Sequence, residues 1–295
     1  MRILVTGGSS FVGAHFCRVA ARRHTVLALV HRSPLQLNGV TTRKVDLRRR
    51  RDLPRLKSLE ADAVVHLACR IQARPQPGQT PAEAAVAVNR AMMSTVLALG
   101  LPTLYASSTV VHWRTPTPYG ESRREDESRL AESGLPYAIL RPSAPYGPPL
   151  FGHQPRHKES FHTLARLVKH APVVPVIGSG HQRRQPIHVA DFAHFALALL
   201  EKGLACETFE AGGGSAHTMR ELIGIMGQEV GRRPLVCPLP TALFVQAARV
   251  LPDFDPTLMS AAVEDELADP TKLVAATGVV PRRFEDGVAE LMARM

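Results

Sequence analysis

The sequence has few aromatic residues, few cysteines and no long apolar run. Phe, Trp and Tyr make up 5% of its 295 residues, too few for the stacking surfaces that hold single-stranded nucleic acid. Its four cysteines, Cys17, Cys69, Cys206 and Cys237, form no CxxC pair, which favours reduced, buried thiols. No stretch is long and apolar enough for a membrane span, and no signal-peptide pattern opens the chain. We therefore expect a cytoplasmic protein with no membrane partner.

The charge is strongly unbalanced, with 36 Lys and Arg against 26 Asp and Glu and a formal net charge of +10. Most of the basic residues are arginines spread along the chain, and only residues 48–51 form a run. A solvated face is favoured over a nucleic-acid patch, because no aromatic residues interleave with this run. Contact with a cofactor phosphate is the remaining alternative. We expect no nucleic-acid partner.

Metal ligands are also scarce. His153, His157 and His162 are close in sequence, but Pro155 stands between the first two and would break a shared helical face. We expect no metal site.

The first thirty residues show a strand–turn–helix–strand pattern. Residues 2–6 and 25–30 are apolar and β-branched, residues 7–13 are rich in glycine and serine, and residues 14–23 have helical periodicity. In this arrangement the N–H groups of a helix N-terminus hold a dinucleotide pyrophosphate. The pattern predicts nucleotide binding; a purely structural turn is the alternative.

Strand and helix patterns alternate as far as residue 145, which is typical of a parallel sheet covered on both faces. Further strands are predicted at 40–45, 63–68, 103–106 and 137–140, and capping boxes begin helices at residues 80 and 218. Asp191 is expected to cap the helix that begins near residue 189. We predict a Rossmann-like, doubly wound α/β domain formed by residues 1–147, with 185–214 returning to it. A smaller substrate lobe is predicted from residues 148–184 and 215–295.

Hydroxyl groups are predicted at the ligand-binding edge of this sheet. Ser107, Ser108 and Thr109 follow the fifth predicted strand, and ligands of open α/β sheets bind outside the carboxyl ends of the strands. Tyr119 and Arg123 are four residues apart, so on a helix they share one face.

Eight ordered motifs resemble the extended short-chain dehydrogenase/reductases, in the nucleotide-sugar epimerase/dehydratase branch. Residues 6–13, TGGSSFVG, are similar to TGGxGFIG, and residues 107–112, SSTVVH, to SSxxVY. Residues 119–123 resemble YxxxK, 141–148 resemble RPxxVYGP, and 182–191 resemble QRRDFIHVDD. The remaining matches are Asp46-Leu47, His66-Leu67-Ala68 and Asn89.

The resemblance implies a role for each matched residue. Ser108, Tyr119 and Arg123 would be catalytic, and Ser108 and Arg184 would bind substrate, Arg184 as a diphosphate clamp. The implied cofactor contacts are Gly7, Ser9, Ser10, Phe11, Val12, His31, Arg32, Asp46, Leu47, Leu67, Ala68, Asn89, Ser107, Tyr119 and Arg123.

The implied activity is hydride transfer between a nicotinamide and a hydroxyl or carbonyl carbon of a nucleotide-sugar-like small molecule. We therefore expect an epimerase, dehydratase or reductase that acts as a homodimer. The cofactor is expected to be NADP, with NAD as the alternative, because Val30 replaces the family's NAD-selecting acid and His31 and Arg32 follow it.

Other departures from the family pattern raise an alternative function. Ser10 replaces a glycine of the turn, His112 a tyrosine, and Ala144 an asparagine common among sugar-nucleotide epimerases. Arg123 replaces the catalytic lysine and cannot relay a proton, because it stays protonated. Its cation would still lower the pKa of Tyr119, which is about 10 for a free phenol. The alternatives are a dinucleotide-binding regulatory or scaffold protein without turnover and, less favoured, an RNA-binding relative of the family.

Overall fold

One parallel sheet forms the centre of the computed structural model, which describes residues 1–150, 152–153, 159–250 and 256–295. In these ranges the strands are β1 (Arg2–Thr6), β2 (Thr25–Val30), β3 (Val40–Lys44), β4 (Ala63–His66), β5 (Thr103–Ala106), β6 (Tyr137–Pro142), β7 (Pro145–Tyr146), β8 (Val173–Ile177), β9 (Arg183–Arg184), β10 (Ile187–His188), β11 (Glu207–Ala211), β12 (His217–Thr218) and β13 (Leu235–Leu239).

The central sheet has seven strands in the order β11-β6-β5-β4-β1-β2-β3. All of its neighbouring pairs are parallel. The chain builds outward from β1 to β3 and then returns to place β4 on the other side of β1. Strand order therefore reverses between β1 and β4, and ligands of open α/β sheets bind at such a reversal, outside the carboxyl ends.

Helices cover both faces of the sheet. They are α1 (Phe11–Ala20), α2 (Leu53–Lys57), α3 (Pro81–Leu97), α4 (Pro118–Ala131), α5 (Ser160–His170), α6 (Val189–Lys202), α7 (Met219–Glu229), α8 (Thr241–Val250), α9 (Pro256–Ala261), α10 (Thr271–Thr277) and α11 (Phe284–Met292).

Two apolar cores lie on opposite faces of the sheet. On one face α1 and α6 contribute fully buried side chains such as Phe16 and Phe195. On the other face α3 and α4 do the same with Met93 and Leu130. The strands between them, buried on both sides, are nearly continuous apolar runs. The predicted doubly wound Rossmann-like fold is confirmed.

A third apolar core lies outside the central sheet. It joins α5, α7 and α11 to the two-stranded sheet of β8 and β13, and Phe161, Leu222 and Phe284 are among its buried members. Tyr146, from β7, packs into this core and brings it close to the carboxyl end of β6.

Two features of the fold were not predicted from the sequence. The seventh strand of the sheet, β11, has the sequence ETFEA and pairs in parallel with β6; as an edge strand with two glutamates it has no apolar run to reveal it. The first helix begins at Phe11, before the predicted residue 14, because Ser10 accepts a hydrogen bond from the Gly13 N–H and caps the helix.

The expectation that Asp191 caps α6 is wrong. The cap is His188, whose ring nitrogen Nδ1 accepts from the Ala190 N–H. Asp191 lies in the first helical turn, and its carboxylate accepts hydrogen bonds from the main-chain N–H and the guanidinium of Arg282. This ion pair fastens α6 to the segment before α11.

None of the helices in the described ranges is both long enough and apolar enough to span a membrane.

Replacing Arg282 with alanine should lower the free energy of unfolding by about 2–3 kcal/mol, since it leaves the buried Asp191 carboxylate without its cation. The matched control is Arg283→Ala. Arg283 is 64% exposed and pairs with Glu285 on the surface, so its loss should cost less than about 1 kcal/mol. The free energies of unfolding of the native protein and the two variants are measured by denaturant unfolding. Equal stabilities for the two variants would contradict the linking role of Arg282.

Candidate functional site

The glycine-rich turn lies where strand order reverses. Gly7 follows β1 with φ of +67°, and a Cβ there would come within 2.7 Å of the Ala68 nitrogen after β4. A Cβ on Gly13 would come within 2.2 Å of the Gly7 carbonyl oxygen. Both positions therefore require glycine, and the turn is pressed against the backbone that follows β4.

Ser10 is accommodated in this turn as a helix cap. Its hydroxyl oxygen lies 3.0 Å from the Gly13 nitrogen and accepts that N–H. The serine thus stabilises the start of α1, and it uses one of the N–H groups that a helix N-terminus would otherwise offer to an anion.

A buried hydrogen bond fixes the loop after β4. The Thr6 hydroxyl accepts from the Ala68 N–H and lies 2.6 Å from Nδ1 of His66. Burial, followed by the nearby Arg123 cation, lowers the pKa of His66 to about 3, so the ring that is hydrogen-bonded to Thr6 is neutral. Asn89 holds the next residues of the loop through both the N–H and the carbonyl of Arg70.

Positive groups gather at the carboxyl end of β2. His31 and Arg32 are exposed there. Burial has the largest effect on the pKa of the His31 ring and lowers it. The Asp46 carboxylate raises this pKa, and the cations of Arg48, Arg32 and Arg70 lower it. The Asp46 carboxylate binds the Arg48 guanidinium at 2.7 and 2.8 Å. This hydrogen bond above all lowers the pKa of Asp46 to about 2.

The hydroxyl pair expected from the sequence forms at the carboxyl end of β5. Ser108 is 8% exposed and caps a short 3-10 helix, Thr109–His112, by accepting from the Val110 N–H. Its hydroxyl also acts on the Tyr119 phenol and lowers the pKa of that group. Tyr119 is in the first turn of α4, where Thr117 caps the helix.

Arg123 lies beneath Tyr119, between two aromatic rings. Its guanidinium carbon is 5.3 Å from the centre of the Tyr119 ring and 5.4 Å from that of Tyr105. The side chain is 1% exposed, and Asp126 supplies a carboxylate at 3.6 Å. Within the described part of the chain, Nε and Nη2 of Arg123 have no hydrogen-bond partner, and neither has the buried hydroxyl of Ser107.

Burial controls the acidity of Tyr119. Removal from water raises the pKa of its phenol, and the adjacent Cys69 thiol raises it further. The Arg123 cation and the Ser108 hydroxyl lower it, but by less. The expectation that Arg123 alone would bring the pKa of Tyr119 below that of a free phenol is therefore not met, since the cation lies over the ring face in a dry setting.

Two neighbours of Tyr119 were not identified from the sequence. Cys69 follows the His66-Leu67-Ala68 motif, and its thiol raises the pKa of the Tyr119 phenol. Asp126 contacts Arg123 from one turn further along α4. Spacing could have indicated Asp126, three residues after Arg123, whereas nothing in the sequence around Cys69 marks it.

Arg184 is anchored by backbone groups and acids. Its guanidinium donates to the main-chain oxygens of Arg183, Glu264 and Ala262 and lies 3.7 Å from the Glu266 carboxylate. Glu266 also accepts from the hydroxyl of Thr109, the residue after Ser108. Arg184 is thus linked to the Ser108 turn through Glu266, and its role as a diphosphate clamp stays a prediction.

The histidines considered as metal ligands have other partners. His153 bonds the carbonyl of Ser9, in the glycine-rich turn, and His162 bonds the carbonyl of Gly147. His157 lies outside the described residues. His112, which replaces the family's tyrosine, is exposed and lies 2.8 Å from Glu210.

The structure brings most of the predicted residues to one edge of the sheet. The residues predicted to be catalytic lie at the end of β5 and the start of α4, with the glycine-rich turn beside them and His31 and Arg32 at the end of β2. The members of the turn differ in burial: the Phe11 side chain is 2% exposed, whereas Ser9 and Val12 are partly exposed. Leu47 and Leu67 are buried next to their strands.

Known proteins match the chain over most of its length. The NAD dependent epimerase/dehydratase family matches residues 3–212. A dTDP-glucose 4,6-dehydratase from Streptomyces niveus is 29% identical over 264 residues, 75% of each chain. A dTDP-4-dehydro-6-deoxy-D-allose reductase from a Streptomyces species is 25% identical over 309 residues, 89% of this chain and 94% of the relative.

Solved structures share the fold. The UDP-glucose 4-epimerase of Bifidobacterium longum, in complex with NAD+ and UDP, has a TM-score of 0.80 at 18% identity, covering 100% of this chain and 98% of that chain. The UDP-glucose 4-epimerase of Thermus thermophilus, in complex with NAD, has a TM-score of 0.76 at 22% identity with the same coverage.

The expected class of activity, a nicotinamide-dependent epimerase, dehydratase or reductase acting on a small molecule, is confirmed by the family match and these relatives, and a scaffold without turnover is not favoured. The chain belongs to the NAD dependent epimerase/dehydratase family.

Proposed function

We propose that this enzyme transfers a hydride between a nicotinamide and a carbon bearing a hydroxyl or carbonyl group of a nucleotide sugar, with Tyr119 as the acid/base. The observation that carries the proposal is the buried Arg123 guanidinium 5.3 Å from the centre of the Tyr119 ring, next to Ser108, with two nitrogens that lack acceptors among the described residues. Relatives named as dTDP-sugar dehydratase and reductase support a nucleotide-sugar substrate.

The residues present fit a nicotinamide dinucleotide. The Ser107 hydroxyl and two guanidinium nitrogens of Arg123 are buried without partners among the described residues, and such groups cost free energy until a ligand supplies acceptors. Ribose hydroxyls are acceptors of the required kind. The turn at residues 7–13 would face the pyrophosphate. When bound, the nicotinamide supplies or accepts the hydride.

Tyr119 and Ser108 would have different roles at the substrate oxygen. The Ser108 hydroxyl is positioned by the Val110 N–H and would hydrogen-bond that oxygen, while the Tyr119 hydroxyl gives or takes its proton. Since burial raises the pKa of Tyr119, the phenol is protonated in the resting site. It is therefore ready to act as an acid, and it needs added positive charge nearby to act as a base.

We further propose NADP as the preferred cofactor. Val30 offers no carboxylate to the ribose hydroxyls, and the cations of Arg32, Arg48 and Arg70 all act on His31 at the end of β2. A 2′-phosphate would meet favourable charge there.

Residues 148–184 and 215–295 are proposed as the substrate lobe, and the expected homodimer and cytoplasmic location stay predictions.

Replacing Tyr119 with phenylalanine should abolish hydride transfer and leave cofactor affinity unchanged, because the change removes one oxygen and little volume. Ser108→Ala should cost roughly two to three orders of magnitude in rate, and Arg123→Lys should retain or increase activity. The measurement is single-turnover hydride transfer with a panel of nucleotide sugars and simple ketones. Tyr137→Phe is the matched control and should match the native rate. Native activity in Tyr119→Phe would remove Tyr119 from the mechanism.

Arg32→Ala should weaken NADPH binding by about 1–3 kcal/mol and leave NADH binding unchanged, since a charged hydrogen bond to the 2′-phosphate is lost. Arg23→Ala is the control, because Arg23 precedes β2 at its opposite end and pairs with Glu201. Titration of each protein with both reduced cofactors measures the effect. Equal or tighter binding of NADH by the native protein would refute the preference for NADP.

Arg184→Ala should raise the Michaelis constant for a diphosphate-bearing substrate more than it lowers turnover, as expected for a loss of uniform binding. The neighbouring Arg183, whose side chain is exposed, provides the control variant Arg183→Ala. Steady-state kinetics of the two variants separate a binding role from a structural one. Unchanged substrate affinity in Arg184→Ala would show that this arginine only anchors the segment at residues 262–266.

A further inference from the structure

Arg123 has one carboxylate within ion-pair distance in the described chain, and that carboxylate is itself buried. Nη2 of Arg123 lies 3.6 Å from Oδ2 of Asp126, and the two side chains are 1% and 2% exposed. A buried cation is costly without a compensating anion. The Asp126 carboxylate therefore compensates the buried charge of Arg123.

Asp126 is held in place from two sides. The Tyr105 hydroxyl, from β5, donates to its Oδ2 at 3.3 Å. On α4 itself, Arg129 lies 3.7 Å from Oδ1 and is 27% exposed. Burial raises the pKa of the Asp126 carboxyl, while the Arg123 and Arg129 cations, and to a lesser extent the Tyr105 hydroxyl, lower it. With two guanidinium groups within 4 Å, we take Asp126 as ionised at neutral pH.

The remaining groups around Arg123 come from three further places. Tyr119 and Tyr105 present their ring faces to the guanidinium. The Cys69 thiol, in the loop after β4, interacts with the guanidinium as well. His66 lies near it too and is kept neutral by burial. Apart from Asp126, none of these groups is anionic at neutral pH, so Asp126 sets the net charge beneath Tyr119.

We propose that Asp126 is a positioning residue for the reaction, whose carboxylate holds the Arg123 guanidinium between the two tyrosine rings and offsets part of its charge at Tyr119. This inference rests on the proposed role of Tyr119 as the acid/base. Arg123 and Asp126 then work as a unit: the arginine supplies the cation, and the aspartate limits how strongly that cation favours the Tyr119 phenolate.

Removing the charge of Asp126 should lower the pKa of Tyr119. Asp126→Asn removes a negative charge near Tyr119, which favours its phenolate form. The acid limb of the pH dependence of kcat/KM in the oxidation direction, where Tyr119 must be deprotonated, should move down by about one pH unit. Arg129→Gln should move the same limb upward, because Asp126 loses a competing cation and acts more strongly on Arg123. Arg129 is partly exposed, so this variant tests the proposal even where Asp126→Asn does not fold.

The matched control is Glu125→Gln, which makes the same change of charge one residue away. Glu125 lies on the surface of α4 and binds Arg90 of α3 at 2.6 Å. In the described chain it forms no hydrogen bond or ion pair with Arg123. Because Glu125 is the weakest of the named influences on the Asp126 carboxyl, the pH profile of Glu125→Gln should move far less than that of Asp126→Asn. A limb that moves equally in Glu125→Gln and Asp126→Asn would show a general charge effect and overturn the positioning role.

A titration without turnover separates this inference from the proposed function. The phenolate absorbance of Tyr119 is obtained as the difference between native protein and Tyr119→Phe, and the same difference is taken in the Asp126→Asn background. If Tyr119 titrates at a lower pH in the Asp126→Asn background than in the native background, the role of Asp126 is supported, whatever the activity assay shows. An unchanged titration overturns it, even where Tyr119→Phe is inactive and the proposed function stands.

Discussion

The burial of the Arg123 guanidinium is the constraint on which the rest of the site depends. A permanent cation that is 1% exposed must be matched by anions, π faces and hydrogen-bond acceptors, since it cannot lose its proton. The protein provides one carboxylate and two tyrosine rings and leaves two nitrogens without acceptors in the described chain. This partial compensation connects the stability of the site to the ligand that completes it.

The reversal of strand order determines where that ligand lies. The turn after β1 and the loop after β4 are in backbone contact through Gly7 and Ala68, and the Thr6–His66 hydrogen bond fixes their separation. The Ser108 turn and the start of α4 then bring the hydroxyls that we propose as catalytic to the same edge. Glu266, from the C-terminal part of the chain, ties this turn to Arg184. The Ser108 turn and Arg184 are thus parts of one hydrogen-bonded frame.

Local sequence signals predicted most of the frame. Apolar strands buried on both faces, the glycine-rich turn and the capping boxes at Thr80 and Thr218 are local features, and the structure has each of them. The polar edge strand β11 was missed, because its position depends on pairing with β6 rather than on its own pattern. The cap of α6 was assigned to Asp191, whose partner Arg282 is 91 residues away.

The electrostatics of the site depended on contacts that a sequence does not display. The spacing of Tyr119 and Arg123 placed both on one face of a helix, as observed. It could not show that the guanidinium lies over the ring, or that the Cys69 thiol lies next to both side chains. The balance between burial and charge at Tyr119 follows from these tertiary neighbours, and it reverses the expected direction of the pKa change.

We propose that this edge of the sheet holds a nicotinamide dinucleotide, and every role assigned to Tyr119 and Ser108 depends on it. The most direct measurement is to denature the purified protein, identify any nicotinamide released, and titrate the stripped, refolded protein with NADPH and NADH by calorimetry. We predict saturable binding at one site per chain, with NADPH the tighter ligand. A protein that releases no nicotinamide and binds neither form would contradict the account.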